Sequence, residues 1–163
     1  MSDEFTPPAP PVLPPSPFDR SGLPDGYYFV AEDFRCHDGT PYPQEWLGKW
    51  LVLRDLCDAI RGLWGGPLFV VSGYRTPRYN ENLIDGGSHG VVSGSYHTSG
   101  EAVDLRTKRG PVDVPHLLRV VLTAHEDGKL QALGGVGDYP VSGWLHVDTF
   151  KAHDGHLRRW HGR

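Results

Sequence analysis

The segment SYHTSGEAVDL, Ser95 to Leu105, sets an imidazole, His97, seven positions ahead of a carboxylate, Asp104. A second imidazole, His146, stands in GWLHVDT between Trp144 and Asp148. Both EAVDLRT and GWLHVDT read as strands by alternation, and on a strand residues two apart share a face. Trp144, His146 and Asp148 therefore point one way, and Asp104 points away from its neighbours Val103 and Leu105, which go to the core. A carboxylate among apolar strand residues is costly unless it is paired or bound to a cation. His97, Asp104 and His146 together offer two neutral nitrogens and one oxygen, the ligand set of a catalytic zinc site with a fourth position open to water. Such a site polarises a carbonyl and brings a bound water to a pKa of about 7. The plainer alternatives stay open at this point: a histidine beside a glycine loop is commonly a hydrogen-bonding residue, and Asp104 could cap a turn or pair with Arg106.

The elements that must position these groups follow from the same pattern. Between Pro43 and Trp64 the residues Trp46, Trp50, Leu53, Cys57, Ile60 and Trp64 recur at three- and four-residue steps, which predicts a helix with one buried face, ended by Gly65-Gly66-Pro67. LFVVS, Leu68 to Ser72, reads as a buried strand, and a short helix fits RYNENLI after Pro77. Glycines punctuate 86–100 so densely that a shaped loop is expected there. DVPHLLRVVLTAHEDG predicts a helix with Asp113 as its N-cap and Gly128 as its stop. ALGGVG and GWLHVDT predict two strands joined around Tyr139-Pro140. This order gives an α+β fold with a small, mostly antiparallel sheet flanked by helices.

The 163 residues suit one domain. Residues 1–24 hold eight of the 15 prolines, the composition of an extended arm or linker, with docking to an aromatic groove of a partner as the other reading; the folded domain is expected over 25–163. Lys and Arg number 16 against 20 Asp and Glu, for a net charge of -4, so a nucleic-acid partner is not expected. No run approaches the roughly 18 apolar residues of a membrane span. The first residues show neither a basic n-region nor an apolar h-region, so Sec export is not expected. Cys36 and Cys57 match no zinc spacing and are read as free thiols, with a single disulfide as the alternative.

Three blocks in order, SGYRTPRYN (Ser72 to Asn80), SYHTSGEAVDL and GVGDYPVSGWLHVDT (Gly135 to Thr149), resemble the signatures of the zinc D-alanyl-D-alanine carboxypeptidase-like peptidases, metallopeptidase family 15 of clan MD. FRCHDGTPYP and the closing RRW, Arg158 to Trp160, are similar to its single-domain branch. The resemblance implies the hedgehog/DD-peptidase fold, zinc on His97, Asp104 and His146, and peptidoglycan peptides as substrate, cut next to a D-amino acid by a carboxypeptidase or an endopeptidase. It also implies a substrate-holding role for Arg75. Without Sec export, the wall would be reached after lysis, by phage delivery or by another export route. Where several family members carry an acidic general base, three positions before the last ligand, this chain has Gly143. Asp148 is then the first candidate base, with orientation of His146 as its other reading, and Asp138 the second. Tyr96 and Trp144 are expected to line the cleft. His89 reads as a bystander, and His153, His156 and His161 as a solvated tail. The rival reading is a zinc-containing module that binds peptidoglycan without turning it over.

Overall fold

The computed structural model describes residues 22–88 and 90–162; residues 1–21 of the proline-rich arm and His89 lie outside these residues. The long periodic segment forms α1 (Leu47–Trp64), entered from Pro43 through a 3₁₀ turn, Gln44–Trp46. Gly65 ends it in the left-handed conformation, φ 75°, with its N–H donated to Arg61 O. β1 (Leu68–Ser72) and α2 (Pro77–Asp85) follow. Thr76 caps α2 by accepting from Tyr79 N. β2 (Ala102–Thr107), α3 (Val114–Glu126), β3 (Gly135–Tyr139) and β4 (Trp144–Asp148) come next.

The expected strands are present, with one addition. Arg158–His161 forms β5, which pairs in parallel with β3 and completes a five-stranded sheet of order β1-β2-β4-β3-β5, antiparallel elsewhere. The tail is therefore no uniform solvated segment: His153 and His156 are exposed, whereas His161 belongs to the sheet. Asp113 is a second correction. It precedes α3 but makes no capping bond, because its carboxylate accepts instead from Thr107 Oγ1 at 2.8 Å and from Arg109.

One face of the sheet carries Val103, Leu105, Val136, Leu145 and Val147, all buried with Trp50, Leu53 and Ile60 of α1 and Leu117 and Val121 of α3. Leu23 joins this core, and Trp50 Nε1 donates to Pro24 O at 2.8 Å, so packing takes in the last residues of the segment read as an arm. Cys36 and Cys57 are both free and buried. None of the described helices is long and apolar enough to cross a membrane. With the helices covering one face, the polar row of the sheet is left to the other.

Candidate metal centre

Strand register builds that row. Ser72 of β1, Asp104 of β2, His146 of β4, Gly137 of β3 and Trp160 of β5 are successive cross-strand partners. Cross-strand partners share a face, so Asp104 and His146 stand side by side. Gly137 leaves space beside His146, and the Trp160 ring fills it, 5.1 Å from the imidazole. A Cβ at Gly137 would overlap the Trp160 indole. Gly137→Ala is accordingly expected to lower stability by about 1–3 kcal/mol through overpacking, read as a lower thermal midpoint; an unchanged midpoint would show that the indole moves freely.

His97 arrives from the loop before β2. Its Nδ1 donates to Gly73 O at 2.7 Å, and its carbonyl accepts from Arg75 N at 3.0 Å. Gly100, φ 73°, turns the chain from His97 into β2, where an added Cβ would lie 2.6 Å from the Trp46 ring and 2.7 Å from Tyr42 Oη. The three side chains converge. His97 Nε2 is 3.3 Å from His146 Nδ1 and 3.4 Å from Asp104 Oδ1, and His146 Nδ1 is 2.9 Å from Asp104 Oδ1. Donors at 2.0–2.2 Å around a tetrahedral ion stand about 3.3–3.6 Å apart; the two edges from His97 match zinc, and the Asp104–His146 edge, a hydrogen bond at 2.9 Å, is the one a metal would have to open.

The hydrogen bonds on the far side of each ring fix the lone pairs inward. His97 spends its Nδ1 proton on Gly73 O, and His146 Nε2 donates to Asp148 Oδ2 at 3.3 Å. The His97 lone pair, the His146 Nδ1 edge and a carboxylate oxygen then face one another in a buried spot that calls for a cation, a part played in the metal-free chain by a proton on His146 Nδ1 donated to Asp104 Oδ1, which a metal would displace. Burial disfavours a charged His146, but the Asp104 and Asp148 carboxylates outweigh it and raise its pKa to about 9. Burial lowers that of His97. For Asp104 burial works upward, but the two imidazoles prevail and hold its carboxyl well below the usual range.

The other expected site residues separate into two sets. Arg75, Tyr96 and Trp144 line a cleft of about 750 Å³ that also contains the three donors. Arg75 does more than face the cleft: its Nη2 donates to Asp104 Oδ2 at 3.1 Å and its Nε to Ser72 Oγ at 2.9 Å, so the cation beside Asp104 is Arg75, while Arg106 is exposed. Asp148 is fully buried behind His146, with Oδ1 taken by Phe150 N and Arg158. Asp138 pairs with Leu145 on the core face and accepts from His161 Nδ1 at 2.7 Å. Neither carboxylate lines the cleft. Gly143 has φ 87°, and a Cβ there would lie 2.7 Å from Pro111 Cδ, which explains why no acid stands at that position.

Sequence reasoning missed several walls of the cleft: His37, Tyr79, Tyr139, Arg158 and Trp160. The RRW block gave a signal for Arg158 and Trp160, whereas nothing in the FRCHDG turn singled out His37. His37 Nε2 donates to Val71 O at 2.8 Å, next to Ser72 of the polar row.

The peptidase-family model described as peptidoglycan L,D-endopeptidase MepK matches residues 54–160, a span that contains all three donors. The chain is 35% identical over 111 residues to the peptidoglycan L,D-endopeptidase MepK of Escherichia coli strain K12, covering 66% of this chain and 52% of that protein. It is 36% identical over 101 residues to the probable peptidoglycan L,D-endopeptidase MepK of Haemophilus influenzae, covering 62% and 46%. The chain thus spans about half the length of these curated relatives. No solved structure gives a significant match. With the family model covering most of the chain and the histidine and aspartate blocks inside it, the chain belongs to metallopeptidase family 15, in the branch of peptidoglycan L,D-endopeptidase MepK.

Proposed function

We propose that this chain is a zinc peptidase that cuts peptidoglycan peptides beside a D-centre, at the L,D bond named for its relatives. The observation that carries the reading is the convergence of His97 Nε2, Asp104 Oδ1 and His146 Nδ1 within 3.4 Å of one another, open to a peptide-sized cleft. Of the two activities open to the sequence, the relatives favour the endopeptidase over the carboxypeptidase.

Zinc held there supplies a Lewis acid that polarises a carbonyl and makes water a usable nucleophile near neutral pH. The chain's own groups do the rest. Asp148 fixes the tautomer of His146 and keeps Nδ1 aimed inward, a positioning role that its burial supports over that of a base. Arg75 steadies Asp104 and presents its guanidinium at the cleft, where a carbonyl oxygen or substrate carboxylate would meet it. Tyr96 and Trp144 give the peptide apolar walls.

Proton transfer needs another acceptor, since Asp104 is the sole carboxylate among the described residues lining the cleft. We assign it to His37, whose Nε2–H is committed to Val71 O, leaving Nδ1 free to accept in the neutral ring. His37→Ala is expected to keep zinc and lower kcat by about 10²-fold; an unchanged kcat would remove His37 from the reaction. The same scarcity of carboxylates supports the second reading, a zinc module that binds without cleaving. Mass spectrometry of muropeptides after incubation with the zinc-loaded chain separates the two. New products split at an L,D bond are expected, and retention of peptidoglycan with no product would leave binding as the function.

A further inference from the structure

Behind the ligand row lies a second cross-strand row: Ala102, Asp148, Gly135 and Arg158. Gly135 sits between Asp148 and Arg158, and a Cβ there would collide with both side chains. Its absence lets the guanidinium reach across a whole strand to Asp148. Arg158 Nη2 donates to Asp148 Oδ1 and to Phe150 O at 3.0 Å. The guanidinium is itself held in place by rings, 4.7 Å from the centroid of Tyr96 and 5.3 Å from that of Phe150, which stack on each other at 4.4 Å. With Oδ1 occupied, the remaining oxygen, Oδ2, meets His146 Nε2.

We infer that Arg158 is a positioning residue for the metal: by holding Asp148 Oδ1 it aims Oδ2 at His146 and so sets the direction of the Nδ1 lone pair. Asp148 is fully buried and Arg158 is the arginine paired with it, so without Arg158 the carboxylate loses that counter-charge and one of the two donors that hold Oδ1, leaving Phe150 N alone to fix its rotation. Outer partners of metal-bound histidines change metal affinity by roughly 10–100-fold. Arg158, one bond further out than Asp148, belongs near the lower end. Tyr96 extends the same chain of contacts to the cleft wall, so the support of His146 begins where a substrate would lie.

The inference rests on the zinc reading, and the test keeps the two apart. Zinc dissociation constants are measured by chelator competition for the native chain, Arg158→Met, Asp148→Asn and the double variant, with the visible spectrum of the cobalt-loaded forms as a second readout. Native protein that holds no zinc would sink the zinc reading itself. Given native binding, Arg158→Met is expected to weaken zinc about tenfold and to shift the cobalt bands, while the double variant binds no more weakly than Asp148→Asn alone. An unchanged constant, or effects that multiply in the double variant, would overturn the inference. So would a raised KM with zinc retention intact, which would make Arg158 a substrate contact. Should Arg158→Met not fold, Arg158→Lys carries the test. One ammonium cannot serve Asp148 and Phe150 O as the planar fork does, so zinc retention falls, and an unaltered constant again overturns the assignment.

Discussion

His146→Ala is expected to lose zinc and, with it, all muropeptide cleavage above background. The ring sits at the junction of the site, with Nδ1 on the donor triangle and Nε2 on Asp148. Removing it leaves two donors and takes the hydrogen bond from Asp148 Oδ2, so the loss exceeds the roughly 10–100-fold that an outer partner alone would cost. His97→Ala and Asp104→Ala should behave alike, since each also deletes one corner of a three-donor site. Metal analysis after dialysis reads the outcome: about one zinc per native chain and a trace in the variants. Thermal melting gives an independent measure, because zinc that binds the folded chain at a hundredfold excess over its Kd adds about 2.7 kcal/mol. That corresponds to roughly 5–10 °C for a domain of this size, a shift the variants should not show. The exposed His153 and His156 supply the contrast. If their removal strips the metal while His146→Ala keeps it, the site is misplaced.

Much of this site is legible in the sequence because alternation is a face rule. Once AVDLRT and WLHVD are strands, Asp104 and His146 must leave the core side, and their pairing needs only adjacent strands. The α1 face was equally plain, since Trp50, Leu53, Cys57 and Ile60 recur at helical spacing and all are buried. Depth is what alternation cannot give. Asp148 shares a face with His146, yet whether it reaches the cleft or lies behind the ring depends on Arg158 and Phe150, which are distant in kind from any strand signal. β5 was missed for a related reason. RRWH is short and polar, and it becomes a strand only because the β3 edge offers it backbone partners. Asp138 illustrates the converse, a plausible acid in a turn-flanked strand whose register with Leu145 sends it to the wrong face.

Arg75→Met is expected to destabilise the metal-free protein far more than the zinc-loaded one. Arg75 and Asp104 form a buried pair, their side chains 11% and 7% exposed. Breaking a buried pair by deleting one partner costs up to about 3–5 kcal/mol, and here the His146 imidazole, its pKa raised to about 9, stays beside Asp104 and offsets part of that. At roughly 2–4 °C per kcal/mol, the metal-free midpoint should fall by several degrees, with about 6–20 °C as the upper bound. Zinc changes the balance by placing its own positive charge against Asp104. Loss of the Arg75 anchor also loosens the carboxylate, an orientation effect of about 10–100-fold in affinity, or roughly 1.4–2.7 kcal/mol. The buried charge is the larger quantity, so zinc should raise the midpoint of Arg75→Met by more than it raises that of the native chain. Arg75→Lys separates the two functions of the side chain. An ammonium beside Asp104 restores most of the metal-free stability, but it cannot bridge Ser72 and Asp104 while offering a planar fork to the cleft, so kcat/KM stays low. Equal losses of midpoint with and without zinc would show that Asp104 is not the reason for the arginine. No loss in either form, with a lowered rate, would make Arg75 a substrate contact alone.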